Sequence, residues 1–221
     1  GVVFEAVHES LGRRVAIKIL PESASSNPRQ SERFLREAQA AANLHHTNIV
    51  TVFGVGQQEN QQYYVMEFID GENLSRIIDT ICNPLENQPV PPPELAARET
   101  VDGDVRSTND SWKLSHTGSS PAPSIEFWAA KREKKPWHWA ADLGAQIADA
   151  LVHAHQHGIL HRDIKPSNLM LDSKHVVWIT DFGLVKNLTN QSLTKTGDLV
   201  GTPQYMPPEA FEGNYDERSE T

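Results

Sequence analysis

Apolar positions first follow the period of a strand, then that of a helix. In "GVVFEAVHESLGRRVAIKIL", residues 1–20, Val2, Val3, Phe4, Ala6 and Val7 form one run and Val15 to Leu20 a second, around the turn "LGRR". Such β-branched runs on either side of a turn predict two strands. "PESASSNPRQ" is a loop by its proline, serine and asparagine content. In "SERFLREAQAAANL" Phe34, Leu35, Ala38, Ala41, Ala42 and Leu44 recur at helical spacing, with Glu37 beside that face. "NIVTVFGVGQ" and "QQYYVMEFID" return to strands, so this third of the chain predicts a small antiparallel sheet with one helix. From Trp137, "WHWAADLGAQIADALVHAHQHG" sets Ala140, Leu143, Ile147, Ala150, Leu151 and Ala154 on one helical face and stops at Gly158. "NLMLD" and "HVVWITD" follow as short strands around Ser173 and Lys174. Between these parts, residues 80–135 contain "PLENQPVPPPE" and "SHTGSSPAPS" and show no apolar period, which predicts a mostly disordered insertion. Its large apolar groups, Trp112, Phe127 and Trp128, are read as local contacts with the neighbouring lobe.

Composition narrows the class. At 221 residues the chain can form one sizeable domain or two small lobes. A formal net charge of -9 argues against a broad nucleic-acid-binding face. Cys82 is the single cysteine, so no intramolecular disulfide forms and a reducing compartment fits. No apolar run reaches membrane-spanning length and the start lacks a signal-peptide pattern, so the expected location is cytoplasmic, with any membrane anchor lying outside this stretch.

The chemistry concentrates in "GILHRDIKPSNLML", Gly158 to Leu171, where an imidazole, a guanidinium, carboxylate and amide groups and a lysine sit between apolar runs. Asp163 and Lys165 precede Asn168, Asp181 follows after a strand pair, and Lys18 lies on an early strand. Phosphoryl transfer from a nucleotide needs a cation for the phosphates, hard oxygen ligands for magnesium and a carboxylate that orients the attacking hydroxyl. Asp181 and Asn168 supply magnesium ligands, Asp163 a base and Lys165 a cation near the transferred group. His153 and His157 lie i,i+4 on the long helix, but no third metal ligand is evident and they are read as helix-end histidines.

Four strings, "VAIK" (Val15–Lys18), "HRDIKPSN" (His161–Asn168), "DFG" (Asp181–Gly183) and "GTPQYMPPE" (Gly201–Glu209), occur in the order of the protein kinase signature set. The chain resembles the bacterial, eukaryotic-like serine/threonine protein kinases over nearly everything except the insertion. The resemblance implies an α+β, two-lobed kinase-like fold, with a small antiparallel-sheet N-lobe and a mainly helical C-lobe, truncated at both ends. The expected division is an N-lobe and hinge over 1–79, the insertion over 80–135 and part of a C-lobe over 136–221. It also implies ATP and Mg2+ as cofactors and Ser/Thr hydroxyls of proteins as substrates. Lys18 would hold the α and β phosphates and pair with Glu37. Asp163 would take or orient the proton of the substrate hydroxyl, and Lys165 would neutralise the γ phosphate. Asn168 and Asp181 would hold the metal ions, and Thr202 would steady Asp163 and Lys165. Val3, Ala16 and Met170 would sandwich adenine, Glu67 to Ile69 would form the hinge, and Met66 would be the gatekeeper.

Gly1 matches the last glycine of the family's phosphate-covering loop, whose earlier part is expected to be missing. Thr194 and Thr196 are candidate autophosphorylation sites that Arg162 could pair with once phosphorylated. The chain stops at "DERSET", before the helix whose aspartate anchors the catalytic loop in the family, so that anchor is expected to be absent, as is the arginine partner of Glu209. Two other readings stay open, a non-catalytic nucleotide-binding or scaffold module and a small-molecule phosphotransferase.

Overall fold

The computed structural model describes residues 2–20, 28–58, 61–82, 104–106, 111–114, 136–182, 203–211 and 216–220. Strands β1 (Val2–His8) and β2 (Arg13–Ile19) pair antiparallel. The turn between them, residues 9–12, falls two positions earlier than "LGRR" suggests: Gly12, at φ 62, donates its N–H to the His8 carbonyl at 2.8 Å. A left-handed conformation there favours glycine over residues with a Cβ. Helix α1 (Pro28–Ala42) buries Phe34, Ala38 and Ala41, but Leu35, expected on the same face, is 38% exposed. Phe34, Ala38 and Ala41 already fill the i, i+4, i+7 stripe, and Leu35 falls at its rim.

Strands β3 (Val52–Gln58) and β4 (Gln61–Glu67) complete the expected sheet. Register sorts its side chains. Val3 is opposite Lys18, and Lys18 opposite Tyr64; Ala16 is opposite both Glu5 and Met66. Because a strand has period two, these six residues share one face. The other face carries its own apolar cluster of Ala6, Val15, Ile17, Tyr63 and Val65. Ala16, Tyr64 and Met66 instead join the main core with Phe34, Leu151, Leu171, Ile179 and Phe182, which spans both lobes.

Among the described residues the sheet has six strands, not four, with β6 (Asp104–Arg106) and β7 (Ser111–Leu114) extending it to the order β3-β4-β2-β1-β7-β6. Strands β6 and β7 lie inside the stretch expected to be mostly disordered, and β7 pairs with the edge of β1. An edge strand presents unpaired backbone groups, which gives a short polar hairpin a partner that its own composition does not announce.

After β4 the chain forms β5 (Gly71–Asn73) and helix α2 (Leu74–Cys82), neither of them anticipated. Asn73 caps α2, its Oδ1 accepting the Ser75 N–H at 2.9 Å. Leu74 and Ile77 are the buried contacts of α2, and the boundary drawn at residue 79 cuts through it. Helix α3 (Pro136–Gln156) ends at Gly158, whose φ of 70 and N–H bond to the His155 carbonyl at 2.8 Å close the C-terminus. Strands β8 (Leu169–Asp172) and β9 (Val177–Ile179) then form a second sheet in the order β5-β8-β9. Gly71 permits that pairing, since a Cβ there would lie 2.5 Å from the Leu171 carbonyl oxygen. A short helix α4 (Pro208–Phe211) follows the turn at Pro203–Tyr205.

The lobes are stitched through Asn48. Its main-chain oxygen accepts the Ile179 N–H at 2.8 Å, and Val50 N–H reaches the Ile179 carbonyl at 3.0 Å. The buried Asn48 amide donates to the Val177 carbonyl at 2.8 Å and to Gln146 Oε1 on α3 at 2.9 Å. Among the described residues no helix is long and apolar enough to cross a membrane.

Candidate active site

The loop expected to be catalytic lies between α3 and β8, and its backbone is held by buried partners. His161 is fully buried. Its Nε2–H donates to the Thr180 carbonyl at 2.8 Å, and its Nδ1 accepts the Asp163 N–H at 3.2 Å. An imidazole that donates on one side and accepts on the other is neutral. Burial pushes its pKa below the ordinary histidine value, with the Thr180 carbonyl opposing that shift only in part. His161 also meets the Phe182 ring edge-on at 4.8 Å, tying the loop to the segment after β9.

A continuous line of contacts runs through the expected catalytic groups. The Lys18 ammonium sits on Asp181 Oδ2, with both side chains largely covered. Asp181 follows Thr180, whose N–H and hydroxyl both donate to the Asn168 carbonyl, at 3.0 and 3.1 Å. The Asn168 amide nitrogen donates to the Asp163 carbonyl at 2.8 Å, and Lys165 Nζ lies 3.1 Å from Asp163 Oδ2. The turn at Pro166–Asn168 is anchored to the segment before α2, because Asn73 Nδ2 donates to the Ser167 carbonyl at 2.7 Å. Lys18 on the sheet and Asp181 after β9, 163 positions apart, thus meet directly.

Asp181 holds an unusual backbone, φ 63, in the left-handed region. A residue with a Cβ pays about 1–2 kcal/mol there. Its carboxylate is gripped on both sides, by Lys18 at Oδ2 and by the Tyr64 hydroxyl, which donates to Oδ1 at 2.5 Å. Tyr64 is 1% exposed; burial first, and the Asp181 charge second, push its pKa well above the ordinary tyrosine value, so it is a neutral donor.

Other expected residues fall as follows. Val3, Ala16 and Met66 share the sheet face of Lys18. Val3 is exposed at the rim, whereas Ala16 and Met66 are buried. Glu67 ends β4, where its N–H reaches the Thr51 carbonyl at 2.9 Å, and the Ile69 carbonyl accepts the Gly71 N–H at 3.0 Å. Met170 lies on β8, opposite Trp178. Glu37 is on α1, but its side chain, like Gly1, Thr194, Thr196 and Thr202, lies outside the described residues.

The anchor expected to be absent is present in another form. The Glu220 carboxylate, itself buried, accepts the Arg162 N–H through Oε1 and meets His155 Nε2 at 2.8 Å through Oε2. Arg162 stands at φ 65, so this bond fixes the loop where its backbone is least relaxed. Sequence reasoning also passed over Tyr64 and Asn48. The signal for Tyr64 was a phenol in an otherwise apolar strand, since a buried tyrosine hydroxyl needs a partner.

The hard-oxygen set suits magnesium. Asn168 Oδ1 and the Asp181 carboxylate are the ligand types that bind it when waters and phosphate oxygens fill the other positions. Among the described residues no group of three or more His, Cys, Asp or Glu could hold a metal by itself.

A family model described as "Protein tyrosine and serine/threonine kinase" matches residues 1–220. The chain belongs to that family. It is 33% identical over 213 residues to the probable serine/threonine-protein kinase PknB of Lactococcus lactis, covering 96% of this chain and 26% of that protein. It is 30% identical over 203 residues to the serine/threonine-protein kinase PrkC of Bacillus subtilis, covering 92% and 24% respectively. The chain therefore spans about a quarter of the length of these two relatives. Its fold is shared with the crystal structure of the Mycobacterium tuberculosis PknI kinase domain, with a TM-score of 0.55 at 22% identity over 99% of this chain and 63% of that one.

Proposed function

We propose that this chain carries the chemistry of an ATP-dependent protein kinase acting on serine and threonine hydroxyls of protein substrates. The observation that supports this best is the unbroken line of contacts from Lys18 through Asp181, Thr180 and Asn168 to Asp163 and Lys165. Val3 and Ala16 on the sheet and Met170 on β8 would hold adenine beside the Met66 gatekeeper, and the backbone from Glu67 to Ile69 would read its edge. Lys18, held by Asp181 in this structure, would bind the α and β phosphates, with Glu37 as its second partner. Asn168 and Asp181 would hold magnesium, which would neutralise phosphate charge. Asp163 receives the proton of the attacking hydroxyl at its carboxylate, and Lys165, already paired with it, balances charge on the transferred group. Thr202 steadies that pair, and Thr194 or Thr196 takes phosphate in an autophosphorylation that pairs with Arg162.

Incorporation of phosphate from labelled ATP into a generic basic protein, measured for the complete protein and its Asp163→Asn variant, tests the reading. A loss of at least 100-fold is expected, as removal of a general base typically costs 10²–10⁴. Equal rates would end the assignment of Asp163.

A further inference from the structure

Tyr64 does nothing in the reaction described so far, yet it is placed where the reaction is most sensitive. Its ring is fixed in the core, tilted against Phe34 of α1 with centroids 6.2 Å apart. Register sets it directly across from Lys18. Lys18 and Tyr64 divide the Asp181 carboxylate between them, Lys18 at Oδ2 and Tyr64 at Oδ1. The two partners differ in what they can do next. A lysine ends in a point charge on a flexible stem and can swing to a phosphate. A buried tyrosine has few torsions and a packed ring, and its hydroxyl stays where the core puts it.

We infer that Tyr64 is a positioning residue for Asp181: its hydroxyl anchors Oδ1, so that Oδ2 keeps its place and stays open to a metal ion when Lys18 leaves for the nucleotide. This rests on the reading of Asp181 as a magnesium ligand. A carboxylate oxygen accepts in more than one direction, so the Tyr64 bond does not use up the ligand. Hydrogen bonds behind a metal ligand orient it, and losing one typically costs 10–100-fold in metal affinity or activity.

The test is Mn2+ affinity by water-proton relaxation in the full-length protein saturated with a non-hydrolysable ATP analogue. Tyr64→Phe keeps the ring against Phe34 and removes only the donor. The expected result is Mn2+ binding weakened about tenfold or more, with analogue affinity in the absence of metal unchanged within about twofold. Phe34→Leu, which loosens the same packing but keeps the hydroxyl, should leave Mn2+ affinity at the parent value. Asp181→Asn separates the two readings. If Asp181→Asn weakens Mn2+ binding and Tyr64→Phe does not, the role of Tyr64 is overturned while Asp181 keeps its place. If Asp181→Asn leaves Mn2+ affinity intact, the ligand assignment fails and this inference falls with it. Equal weakening by Tyr64→Phe and Phe34→Leu would reduce Tyr64 to packing and also overturn it.

Discussion

Replacing Asn48 by alanine should unfasten the lobes. The Asn48 amide donates two hydrogen bonds, to the Val177 carbonyl and to Gln146 Oε1. Gln146 Oε1 keeps a second donor, the Val177 N–H at 3.0 Å, so it is not stranded by the change. The Val177 carbonyl is different: Val177 is fully buried, and the Asn48 amide is the donor recorded for its oxygen. An orphaned buried acceptor costs about 1–3 kcal/mol, and the second lost bond adds about 0.5–1.5 kcal/mol. A total of about 2–4 kcal/mol should lower the thermal midpoint by roughly 4–16 °C, at about 2–4 °C per kcal/mol for a domain of this size. The loss should also reach activity, because the same bonds align β9, which runs directly into Thr180 and Asp181. Differential scanning calorimetry would measure the midpoint, and phosphate incorporation from labelled ATP the activity. Asn48→Asp should be worse than alanine, since it sets a carboxylate oxygen against a carbonyl oxygen and the Gln146 Oε1. A midpoint within about 1 °C of the parent for both variants would refute the reasoning.

Two further outcomes follow from groups behind the site. Glu220→Ala removes an acceptor from the Arg162 N–H and a partner from the His155 ring nitrogen, and should lower stability by about 1–3 kcal/mol and loosen the loop around Arg162; hydrogen exchange at residues 160–165 should rise in the variant, and an unchanged rate would contradict this. His161 gives stability a pH dependence. Its folded pKa is depressed and its ordinary value is near 6.5, so the unfolded chain binds the extra proton. The contribution is therefore whole above that value and is lost as pH falls below it, at up to about 1.4 kcal/mol per pH unit for one proton. Denaturant titrations between pH 7.5 and 5 should show this slope, reduced in His161→Phe.

Much of this site was legible in the chain. The alternating runs before Lys18, the helical stripe from Phe34 and the glycine stop at Gly158 are local signals, and the structure keeps them. The cluster from His161 to Asn168 announced polar groups held in place, because charged residues between apolar runs have few other uses. What escaped was of two kinds. Helix α2 is only nine residues long, so its cap at Asn73 and its apolar positions at Leu74 and Ile77 had little length in which to show a period. The β6–β7 hairpin, the Asn48 staple, the Tyr64–Asp181 bond and the Glu220–Arg162 bond join residues by tertiary contact. No local pattern encodes such pairs; a single chain shows only that each buried polar group must find some partner.

The central claim is that Lys18, Asp163, Asn168 and Asp181 surround one nucleotide-bound magnesium. A crystal structure of the full-length protein with magnesium and a non-hydrolysable ATP analogue tests it most directly. The account predicts a metal at about 2.0–2.1 Å from oxygens of Asn168 and Asp181, Lys18 on the α and β phosphates, and Asp163 facing the γ phosphate. Nucleotide bound elsewhere, or metal held without either Asn168 or Asp181, would contradict it.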